Sequence, residues 1–140
     1  MDTSETYVKM CEKAEEIQED WKPTVGDYIC IKSGEKFVDN MLATVRIIAP
    51  PVYIIDSAVK LKQSNEYIKS RHWLIPRQDQ LQEMIHYNPH DSLILFLKWY
   101  TFAYQQYPKI LSSMEQLWLA FLLAEKYGKH WNGSDWVLQE

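Results

Sequence analysis

Tyr67, Lys69, Arg71, His72, Trp73 and Arg77 fall within eleven residues, and no other stretch of the chain gathers so many groups suited to recognition. Cations interleaved with aromatic rings suit a nucleotide, because guanidinium and ammonium groups meet phosphate oxygens while a ring stacks on the base. Read as a strand, 66–74 would place Tyr67, Lys69, Arg71 and Trp73 on one face by the two-residue period. Pro76 and Arg77 would then open a helix, whose first backbone N–H groups favour an anion. The candidate ligand-binding set is therefore Tyr67, Lys69, Arg71, Trp73 and Arg77. The plainer alternative is an exposed strand with its cations in solvent and Trp73 covering the core.

Other combinations carry less chemistry. His86 and His90 have the four-residue spacing of a helical metal pair, but Pro89 between them forbids a continuous helix, so no metal site is expected. Asp79 and Glu83 lie beside Arg77 and read as a solvated helix face, with the nearby guanidinium lowering rather than raising a carboxyl pKa. The chain has four glycines and no phosphate-binding glycine loop. It has no Gly-x-Ser-x-Gly elbow, and neither Cys11 nor Cys30 has the context of a nucleophile. No catalytic residue and no cofactor is expected. Asn132-Gly133-Ser134 matches a glycosylation sequon, but a turn closed by Trp131 and Trp136 explains it.

Composition narrows the function classes further. A net charge of −4 argues against general duplex DNA binding, which depends on Lys and Arg neutralising phosphates, and is too mild for a DNA mimic. Aromatic residues make up 14% of the chain, enough to fill a core and also to anchor interfaces, so self-association into a homo-oligomer is expected. Cys11 and Cys30 read as buried reduced thiols. The first residues have neither a basic start nor an apolar core, so no signal peptide is read there, and Lys98, Gln105 and Gln116 interrupt the apolar runs before they could span a membrane. A cytoplasmic location follows as an expectation.

The elements that must hold these groups follow from periodicity. Residues 3–19 read as a helix through Tyr7, Met10, Cys11, Ala14 and Ile17, capped by Asp2, Thr3 or Ser4 and ended by Trp21-Lys-Pro23. Between Val25 and Ile75 the pattern is that of short strands: 26–32, a turn at Ser33-Gly34, 43–48, 52–55, and further strands near Val59–Leu61 and His72–Leu74. Pro76 opens a helix that Asn88-Pro89 breaks. Asp91 or Ser92 caps a second helix with two apolar faces, Leu93, Phe96, Leu97, Tyr100 and Ala103 on one and Leu95, Trp99 and Phe102 on the other, as befits a central helix. Tyr107-Pro108 ends it. Ser112 and Glu115 form a capping box for the last helix, and Gly128 suits the left-handed position past its end. The expected fold is α+β: one domain over 1–140, with a helix in 1–21, a small antiparallel sheet or partly open barrel in 25–75, three helices in 76–130 and a turn and tail in 131–140.

Three blocks carry a resemblance. Lys-Met-Cys-Glu-Lys-Ala-Glu-Glu-Ile-Gln within 7–21, Trp-Leu-Ile-Pro-Arg-Gln-Asp-Gln-Leu-Gln-Glu-Met over 73–84, and Ser-Met-Glu-Gln-Leu-Trp-Leu-Ala-Phe with Glu-Lys-Tyr-Gly-Lys in 113–136 resemble small phage and prophage proteins of Gram-positive bacteria of unassigned function. In the second block this chain has one more residue, Leu74 or Ile75, than that family's pattern. The resemblance implies a viral origin and a non-enzymatic protein that binds something of the host. One expectation is a sponge for a nucleotide-derived signal of an antiviral system, with Tyr67–Arg77 as the binder. The alternatives are an inhibitor of a host defence protein, in the manner of an anti-CRISPR, or a nucleotide hydrolase of unfamiliar design.

Overall fold

The computed structural model describes residues 1–32, 43–49, 51–58, 61–85, 87–107 and 109–139. The fold is α+β, and its main sheet is open rather than closed into a barrel. The chain forms two compact units, one of Met1–Lys13 with Arg77–Glu140 and the other of Ala14–Pro76.

The Ala14–Pro76 unit opens with helix α2 (Glu15–Asp20), which follows α1 (Glu5–Glu12) of the other unit. The single helix expected over 3–19 is thus two. Ala14, wholly buried at φ −88° and ψ 71°, breaks the hydrogen-bond ladder where the chain passes from one core to the next. Strands β1 (Tyr28–Ile31), β2 (Ala43–Ala49), β3 (Val52–Ala58) and β4 (His72–Leu74) form an antiparallel sheet in the order β2-β3-β1-β4. Ile29, Ile55 and Leu74 are buried on one face of the sheet, and Cys30 and Val52 on the other. Gly26 enters this sheet at φ 95°, and its N–H donates to the Ile55 carbonyl at 2.8 Å.

Before β4 comes a helix, α3 (Leu61–Arg71): of the strand expected over 66–74 only His72–Leu74 forms, and the strand expected near Val59–Leu61 meets the start of this helix at Leu61. The alternation there is of cations, not of apolar residues, so no strand face exists to bury. Lys, Gln, Glu and Arg are good helix formers, and Ile68 alone among residues 66–71 is buried. Val59, Lys60 and the turn expected at Ser33-Gly34 lie outside the described residues.

In the other unit, α4 (Gln78–Met84) packs against α6 (Met114–Tyr127), whose Trp118–Leu123 run is buried. Arg77, not Pro76, is the residue that caps α4, so the proline precedes the helix instead of opening it. Helix α5 (Pro89–Lys98) is capped by Asn88, whose Oδ1 accepts from the Asp91 N–H at 2.9 Å. Pro89 therefore starts a helix, in the first-turn position that lacks nothing by having no N–H, and neither Asp91 nor Ser92 is the cap. The helix continues through a π turn at Trp99–Ala103 and a 3₁₀ turn at Tyr104–Gln106.

That helix is not central. Phe96 is buried, stacked 4.3 Å from Trp118 and edge-on to Phe121 at 5.5 Å, but Leu93, Ile94, Leu97, Tyr100 and Phe102 are exposed. Phe96 of one expected face and Trp99 of the other both meet rings of α6, and the rest of neither face is fully covered. The cap of α6 is Ser113, which accepts from the Gln116 N–H at 3.1 Å, one residue later than the Ser112–Glu115 box. Gly128 takes φ 63° and ψ 34° past the helix end, as its position predicts. Strands β5 (Lys129–Trp131) and β6 (Trp136–Leu138) form a hairpin. Asn132 holds its turn, Oδ1 accepting from the Ser134 and Asp135 N–H groups, and the Trp131 and Trp136 rings lie 5.1 Å apart. Asp2 bonds Ser113 and Gln116, and the Trp136 Nε1–H donates to Met10 O at 2.9 Å, which fastens the N-terminus to α6 and the hairpin.

Candidate functional site

Helix α3 rearranges the expected cluster. Tyr67 and Arg71, four residues apart, share a helix face, and the Arg71 guanidinium carbon lies 3.9 Å from the Tyr67 ring centroid. Lys69 points to the other side, where its Nζ donates to the Glu19 main-chain oxygen at 2.8 Å. The shared strand face of Tyr67, Lys69, Arg71 and Trp73 does not form, because the backbone turns by about 100° per residue until Arg71.

Trp73 instead finds partners through the sheet. It pairs with Cys30 across β1–β4, and the Lys32 N–H donates to Arg71 O at 2.8 Å, so the two-residue period puts Lys32 beside Trp73. The Lys32 Nζ sits 4.1 Å from the Trp73 ring centroid. Trp73, Lys32 and Lys69 line an open groove of about 500 Å³, together with Trp21, His72 and the α2 residues Glu15, Gln18 and Glu19. Its lining carries two lysines and two glutamates, whose formal charges cancel.

The walls of this groove are firmly held. The buried Gln18 amide donates to Leu74 O at 3.0 Å and accepts from the Leu74 N–H at 2.8 Å, joining α2 to the edge strand that carries Trp73. The Trp21 indole donates to Asp27 Oδ2 at 2.8 Å, and the same oxygen accepts from the Thr24 N–H at 2.9 Å. His72 is buried, with Nδ1 3.1 Å from Ile68 O, which ties β4 to the end of α3.

Arg77 belongs to the other compact unit and does not offer what the sequence suggested. Its guanidinium meets Asp79 through two bonds, Nε to Oδ1 at 3.0 Å and Nη2 to Oδ2 at 3.1 Å. Those bonds hold the Asp79 carboxyl below the usual range, the direction expected of an acid beside an arginine. The Arg77 N–H donates to Gln80 Oε1 at 2.9 Å, so this backbone group is committed to the helix cap.

Of the sequence-derived set, then, Trp73 and Lys69 share the groove, Tyr67 and Arg71 pair on α3, and Arg77 is part of the other compact unit. Lys32, Trp21 and Gln18 were missed. The only signal for Lys32 was its place two residues after Cys30 in an expected strand, which is silent until the β1–β4 register is known. Among the described residues no group of three or more His, Cys, Asp or Glu side chains could hold a metal, and His90 is exposed on α5 beside Asp91. His86 lies outside the described residues. Cys11 and Cys30 are buried thiols outside any disulfide, as their positions predict. No helix among the described residues is long and apolar enough to cross a membrane. Comparison with protein-family models, with curated proteins and with solved structures finds no match.

Proposed function

We propose that this is a non-enzymatic binding protein whose groove on the Ala14–Pro76 unit takes a small nucleotide-derived anion, and that it serves a phage by sequestering such a signal of host antiviral defence. The observation that carries the binding reading is Trp73, half-buried at the groove with the Lys32 ammonium 4.1 Å from its ring and Lys69 on the same wall. A base stacked on Trp73 brings its phosphate within reach of both lysines. Glu15 and Glu19 offset those charges, which favours a ligand with one or two phosphates and a ring over a polyanionic strand. The phage origin rests on the resemblance of the 7–21, 73–84 and 113–136 blocks, and a cytoplasmic site of action would follow from it.

Isothermal titration with cyclic dinucleotides, cyclic oligonucleotides and ADP-ribose derivatives tests the reading. One of these classes binds, and Trp73→Leu loses about 1–3 kcal/mol of affinity, roughly 5- to 150-fold, the usual worth of one stacked base. Lys32→Ala with Lys69→Ala weakens binding further and reduces its salt dependence. Absence of heat with every class, or unchanged affinity in Trp73→Leu, refutes the proposal.

A further inference from the structure

Glu15, Gln18 and Glu19, spaced by three and four residues, form one stripe of α2, and all three line the groove that holds Trp73. Gln18 is spent on Leu74, the neighbour of Trp73, and so holds the stripe against the strand that carries the indole. The Glu15 carboxylate is exposed and has no hydrogen bond or ion pair with the described residues. Granted the nucleotide reading of the groove, on which this rests, we infer that Glu15 reads the Watson–Crick edge of a guanine stacked on Trp73, so that the groove selects guanine over adenine nucleotides.

The groove has a direction. The Lys69 ammonium donates to Glu19 O, and Leu74 is bonded by Gln18, so the chain from 69 to 74 runs beside α2 from its last turn towards its first. Lys32 pairs opposite Arg71 and so rises from the same side of Trp73 as Lys69. Glu15 lies one turn of α2 beyond Glu19, about 6 Å along the axis, towards the opposite end. A phosphate on the lysines and a ring on Trp73 leave the edge of the base remote from its sugar facing Glu15. The Lys32 ammonium, on its flexible four-carbon stem, moves from the ring to the phosphate as the base takes its place. A carboxylate can only accept hydrogen bonds, through two oxygens. Guanine offers it two adjacent donors, N1–H and the N2 amino group. Adenine sets its N6 donor beside the N1 lone pair, which a carboxylate repels, and cytosine and uracil likewise place an acceptor next to their donor.

Isothermal titration with the guanine, hypoxanthine and adenine forms of one cyclic dinucleotide varies the base edge while the phosphates stay the same. The guanine form should bind at least about tenfold tighter than the adenine form, the worth of a hydrogen bond to a charged group. Hypoxanthine, which keeps N1–H and lacks the amino group, should fall between them. Glu15→Gln should weaken the guanine form by about tenfold and erase its preference, while the adenine form binds no worse. Removing a negative charge near an anion strengthens every form alike, the uniform gain expected of Glu19→Gln, so a loss confined to guanine marks a contact with the base. Far-UV circular dichroism and urea unfolding check that both variants are folded. ADP-ribose and cyclic oligonucleotides complete the probes. No heat with any of them removes the nucleotide reading of the groove and this inference together. Equal affinity across the three forms, a tighter adenine form, ADP-ribose bound in their place, or a guanine preference that survives Glu15→Gln overturns guanine selection and leaves the groove reading standing.

Discussion

Replacing Gln18 by leucine removes one side chain but strands two backbone groups. The Gln18 amide both donates to Leu74 O at 3.0 Å and accepts from Leu74 N–H at 2.8 Å, and its side chain is buried. Two hydrogen bonds of ordinary net worth give about 2 kcal/mol, and leaving the N–H and carbonyl dry raises the cost to about 2–5 kcal/mol. Gln18→Glu sharpens the reasoning because it keeps the shape and adds a titration. The protonated acid donates and accepts as the amide does, whereas the carboxylate can only accept and faces the Leu74 carbonyl. Burial and that carbonyl raise the folded pKa of the introduced carboxyl above the unfolded value of about 4.3. Below the unfolded pKa both states are protonated, so this variant should match the native chain. As pH rises the unfolded chain ionises first, and stability falls by about 1.4 kcal/mol per unit until the folded carboxyl ionises too, after which the deficit is constant. Urea unfolding followed by tryptophan fluorescence at several pH values between 3 and 8 measures both variants. A leucine variant within about 0.5 kcal/mol of native, or a glutamate variant whose deficit does not change with pH, refutes the claim that this amide fastens β4 to α2.

Two further outcomes follow from the other compact unit. Partial burial acts to raise the Asp2 carboxyl, but hydrogen bonds from Ser113, Ser4 and Gln116 outweigh it and hold the pKa below the ordinary 3.8. Its stabilisation is therefore complete above the unfolded pKa and lost as pH falls through the lower folded value; Asp2→Asn should cost about 1 kcal/mol at pH 7 and flatten melting temperature against pH between 2 and 5, and an unchanged acid limb would contradict this. Gly128→Ala should destabilise by about 1 kcal/mol through the left-handed φ of 63° alone, since a Cβ there would have nothing within 4 Å; denaturant melts that show no loss would contradict it.

Local signals accounted for much of this molecule. The apolar run of Trp118–Leu123, the left-handed Gly128, the Asn132 turn between Trp131 and Trp136 and the short strands at 28–31, 43–49 and 52–58 each follow from a few adjacent residues, because propensity, capping and turn chemistry act over one or two turns of chain. Where two local readings competed, the sequence could not arbitrate. Tyr67, Lys69 and Arg71, alternating along the chain, suit a strand face on paper, yet good helix formers and Ile68, the one buried residue of 66–71, make α3 a helix. Two apolar faces on α5 suggest a central helix, yet Leu93, Leu97, Tyr100 and Phe102 are exposed, and no periodicity tells a buried apolar residue from an exposed one. The groove depended on tertiary structure entirely. Lys32 and Trp73 are forty-one residues apart and meet only through the β1–β4 register, and Gln18 fixes Leu74 across fifty-six residues. Sequence set the kinds of side chain and the local geometry. Which of them share a surface was decided by strand pairing and helix packing, contacts between distant residues that no local pattern encodes.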